Sequence, residues 1–217
     1  MLGLFDSGRG GLNTVKYLKD AGEDRDLLYL IDRENAPYGI KTEKEILKIT
    51  ENNVKALTGM GAQAVLIACC TASTVHHLLP DEERKVSIPI IQAVANEARS
   101  VTRRGRVGVI ATDRTVSSGA FTKALPGLSV TELALGELVR RIDGGLSDAT
   151  ATTDDVLRIE DMLLPVLRKD IDTLILGCTH FPAIYNTVCG IAAKYGDVAI
   201  IDSARIGADT LIKFKQR

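Results

Sequence analysis

Tryptophan is absent, and aromatic residues make up only 4% of the 217 positions. So thin a supply argues against stacking platforms for nucleobases or sugars. Neither charge sign dominates: 27 Lys and Arg stand against 28 Asp and Glu, a formal net charge of −1. A near-neutral chain makes no electrostatic case for nucleic acid or a membrane surface as partner. No apolar run approaches the ~20 residues of a membrane span. The opening MLGLFDSGRGG has no basic stretch followed by a long apolar one, so no signal peptide is expected. The cysteines, Cys69, Cys70, Cys178 and Cys189, form no C-x-x-C pair. A disulfide framework is not expected, and the reducing cytoplasm is the expected compartment.

What is present is ordinary for a globular protein of one or two domains: 45% hydrophobic and 25% charged residues. Short β-branched or Leu-rich runs at 2–5, 27–31, 64–68, 107–111, 173–176 and 198–201 predict buried strands. Amphipathic segments at 12–21, 41–57, 154–167 and 181–193 predict helices between them. Pro182 near the start of the last is tolerated there. Residues 144–153 read as a surface loop, and RRGR at 103–106 as a solvated turn. Strand and helix in alternation imply an α/β fold with mostly parallel sheets.

The chain also resembles itself. GAQAVLIACCTAS at 61–73 is echoed by DIDTLILGCTHFP at 170–182, about half the chain later. LGLFDSG at 2–8 is echoed by VGVIATD at 107–113 at a similar offset. Any parallel strand reads as V-L-I, so the strands alone prove little; the shared Cys–Thr ends put duplication level with that plainer account.

In open α/β sheets, ligands bind beyond the carboxyl ends of the strands. Cys69 and Cys178 stand at such ends, each before a predicted helix. A helix N-terminus lowers a thiol's pKa, so accessible thiolate is expected there. One such cysteine would read as a small buried apolar residue; two at matched positions suggest a paired role. Asp6, Ser7, Asp32, Thr71, Thr112, Thr115 and Thr179 also follow strand ends, where small anions such as carboxylates bind. DSGRGG fits neither common phosphate-loop pattern. A zinc site from Cys69, Cys70, Cys178 and His180 matches no common spacing, so no metal is expected. His76 and His77 read as helix-surface residues, whereas His180, just past Cys178, reads as functional. Two thiols facing one substrate from opposite sides, one as base and one as acid, would invert a stereocentre without a cofactor.

The motifs FDSGRGG at 5–11, D-x-x-x-x-PYG at 32–39, IACCTAS at 67–73, ATDRTVSSGAF at 111–121 and LILGCTHFP at 174–182 together resemble the glutamate racemase family. That family lies within the aspartate/glutamate racemase superfamily. The resemblance implies two pseudosymmetric α/β domains, each a mostly parallel sheet flanked by helices, with the active site at their interface. The domains are expected at 1–95 plus 203–217 and at 96–202, a helix near 206–213 returning to the first. It implies cofactor-independent interconversion of L- and D-glutamate, in support of peptidoglycan synthesis and hence cell shape. Cys69 and Cys178 match the catalytic thiols. Asp6 matches the helper of the first, His180 the helper of the second, and Asp143 loosely a family glutamate near the second. Ser7, Pro37, Tyr38, Gly39, Cys70, Thr71, Thr112, Thr115 and Thr179 match substrate-contacting positions. A small acidic amino acid is the expected partner, and a homodimer the expected assembly if one forms.

The chain departs from the family in three ways. Cys70 stands where the family has an asparagine that binds the substrate's α-carboxylate, and a thiol lacks the amide's two donors. Arg9 replaces an apolar residue and reads as solvent-facing. The chain is also shorter than typical members. Cys70 keeps alternatives open: a racemase for aspartate or another acidic amino acid, or a catalytically impaired racemase-like binding protein.

Overall fold

The computed structural model describes residues 1–214. The strands are β1 (Leu2–Asp6), β2 (Leu27–Ile31), β3 (Ala64–Ile67), β4 (Ser87–Pro89), β5 (Arg106–Ala111), β6 (Ser129–Ala134), β7 (Thr173–Gly177) and β8 (Ala199–Asp202). They form two four-stranded sheets with orders β2-β1-β3-β4 and β6-β5-β7-β8. Every pairing is parallel. The two sheets therefore share one topology, as the sequence echo leads one to expect.

The helices are α1 (Leu12–Asp20), α2 (Glu43–Gly59), α3 (Cys70–Ser73), α4 (Asp81–Val86), α5 (Ile90–Val101), α6 (Asp113–Ser118), α7 (Ala120–Ala124), α8 (Gly136–Asp143), α9 (Thr153–Leu167), α10 (Tyr185–Ala192) and α11 (Ser203–Lys213). Local chemistry explains the two long ones that lead into β3 and β7. Thr42 and Glu45 form a reciprocal capping box at the start of α2. Thr152 and Asp155 form the same device at the start of α9. Each helix then buries one stripe, Ile46, Val54 and Leu57 in α2 and Ile159, Leu163, Val166 and Leu167 in α9.

The sequence reading missed two strands, β4 and β6. β4 has three residues and ends in proline. β6 reads SVTELA, an edge strand that is nowhere fully buried, so it lacks a continuous apolar run. The helix expected over 181–193 begins as a 3-10 turn, Phe181–Ile184, before α10. His76 and His77 lie in a short 3-10 turn rather than a helix. His76 is half-buried, its ring against the Ser87 carbonyl, and His77 is exposed.

One apolar core joins the two sheets, running from Leu4 and Leu66 through Ile90 and Val94 to Val109 and Ile175. The last helix, α11, lies against α1 and α5 and also touches β7 and β8. Arg25 holds its end, donating to the carbonyls of Leu211, Ile212 and Phe214. We propose 1–95 plus 203–217 and 96–202 as the two domains; residues 215–217 lie outside the described residues.

Candidate active site

Parallel pairing brings strand ends together. Phe5 is level with Ile67, and Ala111 is level with Gly177. The residues that follow converge on one cavity of about 380 Å³. Its lining includes Ser7, Pro37, Tyr38, Gly39, Cys69, Cys70, Thr71, Thr112, Asp143, Cys178, Thr179 and His180. Of the residues expected at the strand ends, Asp6, Asp32 and Thr115 are not on the lining; all three are buried, in contact with lining residues. A larger cavity of about 630 Å³ lies around Tyr17, Asp202 and Arg205 and includes none of the expected residues.

The two thiols have opposite surroundings. Cys69 Sγ is 3.5 Å from Ser7 Oγ. Burial, followed by the charge of Asp6, pushes its pKa up to about 12, against the pull of Ser7 and the Ala72 amide. The acidified thiol expected at a helix N-terminus is thus reversed at Cys69. The helix after it, α3, has four residues, and desolvation outweighs so short a dipole. Cys178 Sγ is 3.5 Å from His180 Nδ1. His180 Nε2 lies 2.8 Å from Asp143 Oδ1, an ion pair without an aligned hydrogen bond. Burial alone would lower the His180 pKa. Negative charge and a hydrogen bond at Cys178, then Asp6 and Asp143, outweigh it and carry the pKa up to about 10. The negative groups around the ring therefore favour its imidazolium form.

Asp6 sits behind the cavity wall rather than on it. It accepts no hydrogen bond from Cys69 among the described residues. Its Oδ2 accepts from the Gly11 amide at 2.9 Å and from Thr179 Oγ1 at 3.2 Å. The carboxyl thus ties the β1 loop to the β7 loop and reaches Cys69 only through its charge. Burial raises its pKa above the usual 3.8, though His180 pulls the other way. A raised folded pKa means that the fold holds the proton more tightly than the unfolded chain does. Asp6 therefore costs stability as pH rises from 3.8 through its folded value. Asp6→Asn is expected to melt higher than wild type at pH 8, by a margin that shrinks toward acid, while racemisation slows. Thermal melts across pH check the sign.

Hydroxyls gather at the other strand ends. Thr71 Oγ1 lies 2.9 Å from Thr112 Oγ1 and 3.1 Å from Thr115 Oγ1, which are 2.9 Å from each other. Tyr38 is held by its own hydroxyl, which donates to Asp32 Oδ2 at 2.5 Å. Asn53 Nδ2 donates to both partners at 3.0 Å. This network anchors the loop that contains the cis Ala36–Pro37 bond. Cys70 lines the cavity and also packs with Leu66, Ala68 and Ile90. Burial, then Cys178 and Cys69, pushes its pKa far up, so it is a neutral thiol.

Asp113, Gly136, Val139 and Arg140 also line the cavity, and the sequence reading missed them. Helical spacing from Asp143 was the available signal: Gly136, Val139 and Arg140 precede it by three to seven residues and share its face. Arg9 is exposed, as expected, on a neighbouring cavity of about 300 Å³ that shares Asp143 and His180. Among the described residues, no group of three or more His, Cys, Asp or Glu is placed to hold a metal ion.

The Asp/Glu/Hydantoin racemase family model matches residues 13–211. The chain belongs to that family. This racemase is 34% identical over 208 residues to the glutamate racemase of Desulforudis audaxviator, covering 94% of this chain and 74% of that one. A glutamate racemase of Bacillus anthracis superposes with a TM-score of 0.83 at 31% identity, covering 98% of this chain and 80% of the other. The Francisella tularensis glutamate racemase, solved with D-glutamate, superposes at 0.81 and 31% identity, covering 97% and 79%. Both share the two-sheet α/β architecture. No helix among the described residues is long and apolar enough to cross a membrane.

Proposed function

We propose that this racemase interconverts L- and D-glutamate by moving one proton off the α-carbon and another onto its opposite face. The observation that carries the reading is the pair of thiols. Cys69 and Cys178, one beyond each sheet, line the same cavity in opposite electrostatic settings. Beside the His180 imidazolium, Cys178 serves as thiolate and takes the α-proton. Cys69, held as a thiol, delivers its own proton to the other face. Turnover leaves Cys69 as thiolate and Cys178 as thiol, and the reverse passage restores the start. Asp143 steadies His180 and Ser7 steadies Cys69. The Thr71, Thr112 and Thr179 hydroxyls, with Gly39, offer polar contacts to the substrate. The relatives matched over nearly the whole chain carry the name glutamate racemase, which supports the substrate. Supply of D-glutamate for cell-wall precursors in the cytoplasm is the role that goes with it.

The test follows L-glutamate, D-glutamate and both aspartate enantiomers in deuterated water, recording optical activity and α-deuterium together. Loss of rotation with deuterium uptake on glutamate is the expected result. Uptake on aspartate instead would move the substrate and make Cys70 the reason. Binding without either signal would leave a racemase-like binding protein and overturn the reading.

A further inference from the structure

The two-thiol chemistry leaves two charged groups on the cavity unused, Asp113 and Arg140, of which Arg140 is the cation. Arg140 sits on α8 one turn from Gly136 on one side and from Asp143 on the other, and all three line the cavity. Its neighbour Arg141 is tied to Asp155, and Arg114 to Glu43. The Arg140 guanidinium has no hydrogen bond or ion pair to any described residue. Gly136 makes room for the Asp113 carboxylate, which sits near Arg140. A Cβ there would fall 2.1 Å from Asp113 Oδ2 and 3.8 Å from Arg140 Nη1.

The charges on the lining make this arginine informative. Asp113 and Asp143 are the acids, and Asp143 is already engaged with His180. Thr71, Thr112, Ser7 and the Cys69 thiol are neutral donors at best, the His180 cation is taken up by Cys178 and Asp143, and Cys70 has no amide to offer. A dicarboxylic amino acid brings two negative groups into this setting. Its α-carbon must lie between Cys69 and Cys178, which are nearly buried. Arg140 is exposed, at the rim. The group that meets it is the one farthest from the α-carbon.

We propose that Arg140 binds the side-chain carboxylate of the substrate and so sets the preference for an acidic over a neutral amino acid. This rests on the glutamate reading above. A planar guanidinium can grip a carboxylate with two parallel hydrogen bonds, which a neutral carboxamide matches poorly.

The experiment compares wild type, Arg140→Gln and Arg140→Lys on glutamate and on glutamine, which differ only at the distal group. Steady-state kinetics and calorimetric binding are both recorded. Arg140→Gln is expected to raise KM for glutamate by about tenfold or more, the effect of one lost charge-assisted contact. The value of kcat should stay within about threefold, because an interaction common to ground and transition states moves KM alone. Glutamine parameters should not change, and Arg140→Lys should recover part of the glutamate KM. An unchanged glutamate KM in Arg140→Gln, or equal losses on both substrates, overturns the proposal. If wild type turns over neither amino acid, the racemase reading fails separately. Calorimetry then decides for Arg140: glutamate binding that is lost in Arg140→Gln supports it, and glutamate binding that is absent or unchanged rejects it. Arg140 is exposed, so melting temperatures matching wild type should confirm that the variants fold.

Discussion

Cys69→Ala and Cys178→Ala should each stop inversion while leaving α-proton exchange on one enantiomer. Each thiol serves one face of the substrate. Removing one deletes a general acid or base, worth about 10²–10⁴ in rate, so interconversion should fall by about a thousandfold. The surviving thiol still takes a proton from its own face. Its S–H then exchanges with solvent and returns a deuteron to the same face. The product keeps its configuration and gains deuterium. The two variants should therefore label opposite enantiomers. Proton NMR of the α-position in deuterated water, on L- and D-glutamate separately, reads this directly. Labelling of the same enantiomer by both variants would place the two thiols on one side and end the two-face mechanism. Alanine is the better replacement here, since a serine hydroxyl would keep a donor beside Ser7 or His180 and blur the result.

Gly10→Ala is expected to cost both stability and activity. A Cβ at Gly10 would lie 2.3 Å from Thr179 Oγ1, 2.7 Å from its Cβ and 2.8 Å from its backbone carbonyl carbon. A rotamer change can clear the first contact but not the backbone. The β1 loop would have to withdraw from the β7 loop. Withdrawal pulls on the Thr179–Asp6 hydrogen bonds and on the bond from Asn13 Nδ2 to the Thr179 carbonyl, 2.9 Å in length. Overpacking of this kind costs about 1–3 kcal/mol. The same move shifts Ser7, and with it the contact to Cys69. Gly59→Ala is the control, because a Cβ there meets nothing within 4 Å. It should melt at or slightly above wild type and keep full activity. A Gly10→Ala protein with unchanged melting temperature and rate would mean that the loops do not pack as described.

The doubled GG of the β1 motif thus has a steric reason that spacing alone does not reveal. What the sequence does reveal follows from burial. β1, β3 and β7 are buried throughout, and β5 all but its first residue, so they read as apolar runs. β6 is half wet and β4 is short, so neither stands out. The cavity's thiols and hydroxyls were legible because a strand end is a local landmark. Arg140 was not: its place depends on how α8 turns against the sheet, which distant residues decide. The pKa direction at Cys69 was misjudged for a related reason. Helix position is local, whereas desolvation depends on everything packed around the sulfur.

The three threonines carry a simple consequence. Thr71, Thr112 and Thr115 make three mutual contacts and own three hydroxyl protons. Each proton can serve one contact, so the closed triangle has no donor to spare. It can circulate in either sense, like a wheel with two directions of turn. A carboxylate arriving at Thr71 or Thr112 gains a hydroxyl donor only by breaking the circle. It replaces a neutral hydrogen bond with a charge-assisted one, roughly twice as strong. An uncharged acceptor only trades one neutral hydrogen bond for another and gains nothing from the exchange. The same three side chains that brace this wall of the cavity therefore also favour an anion over a neutral visitor.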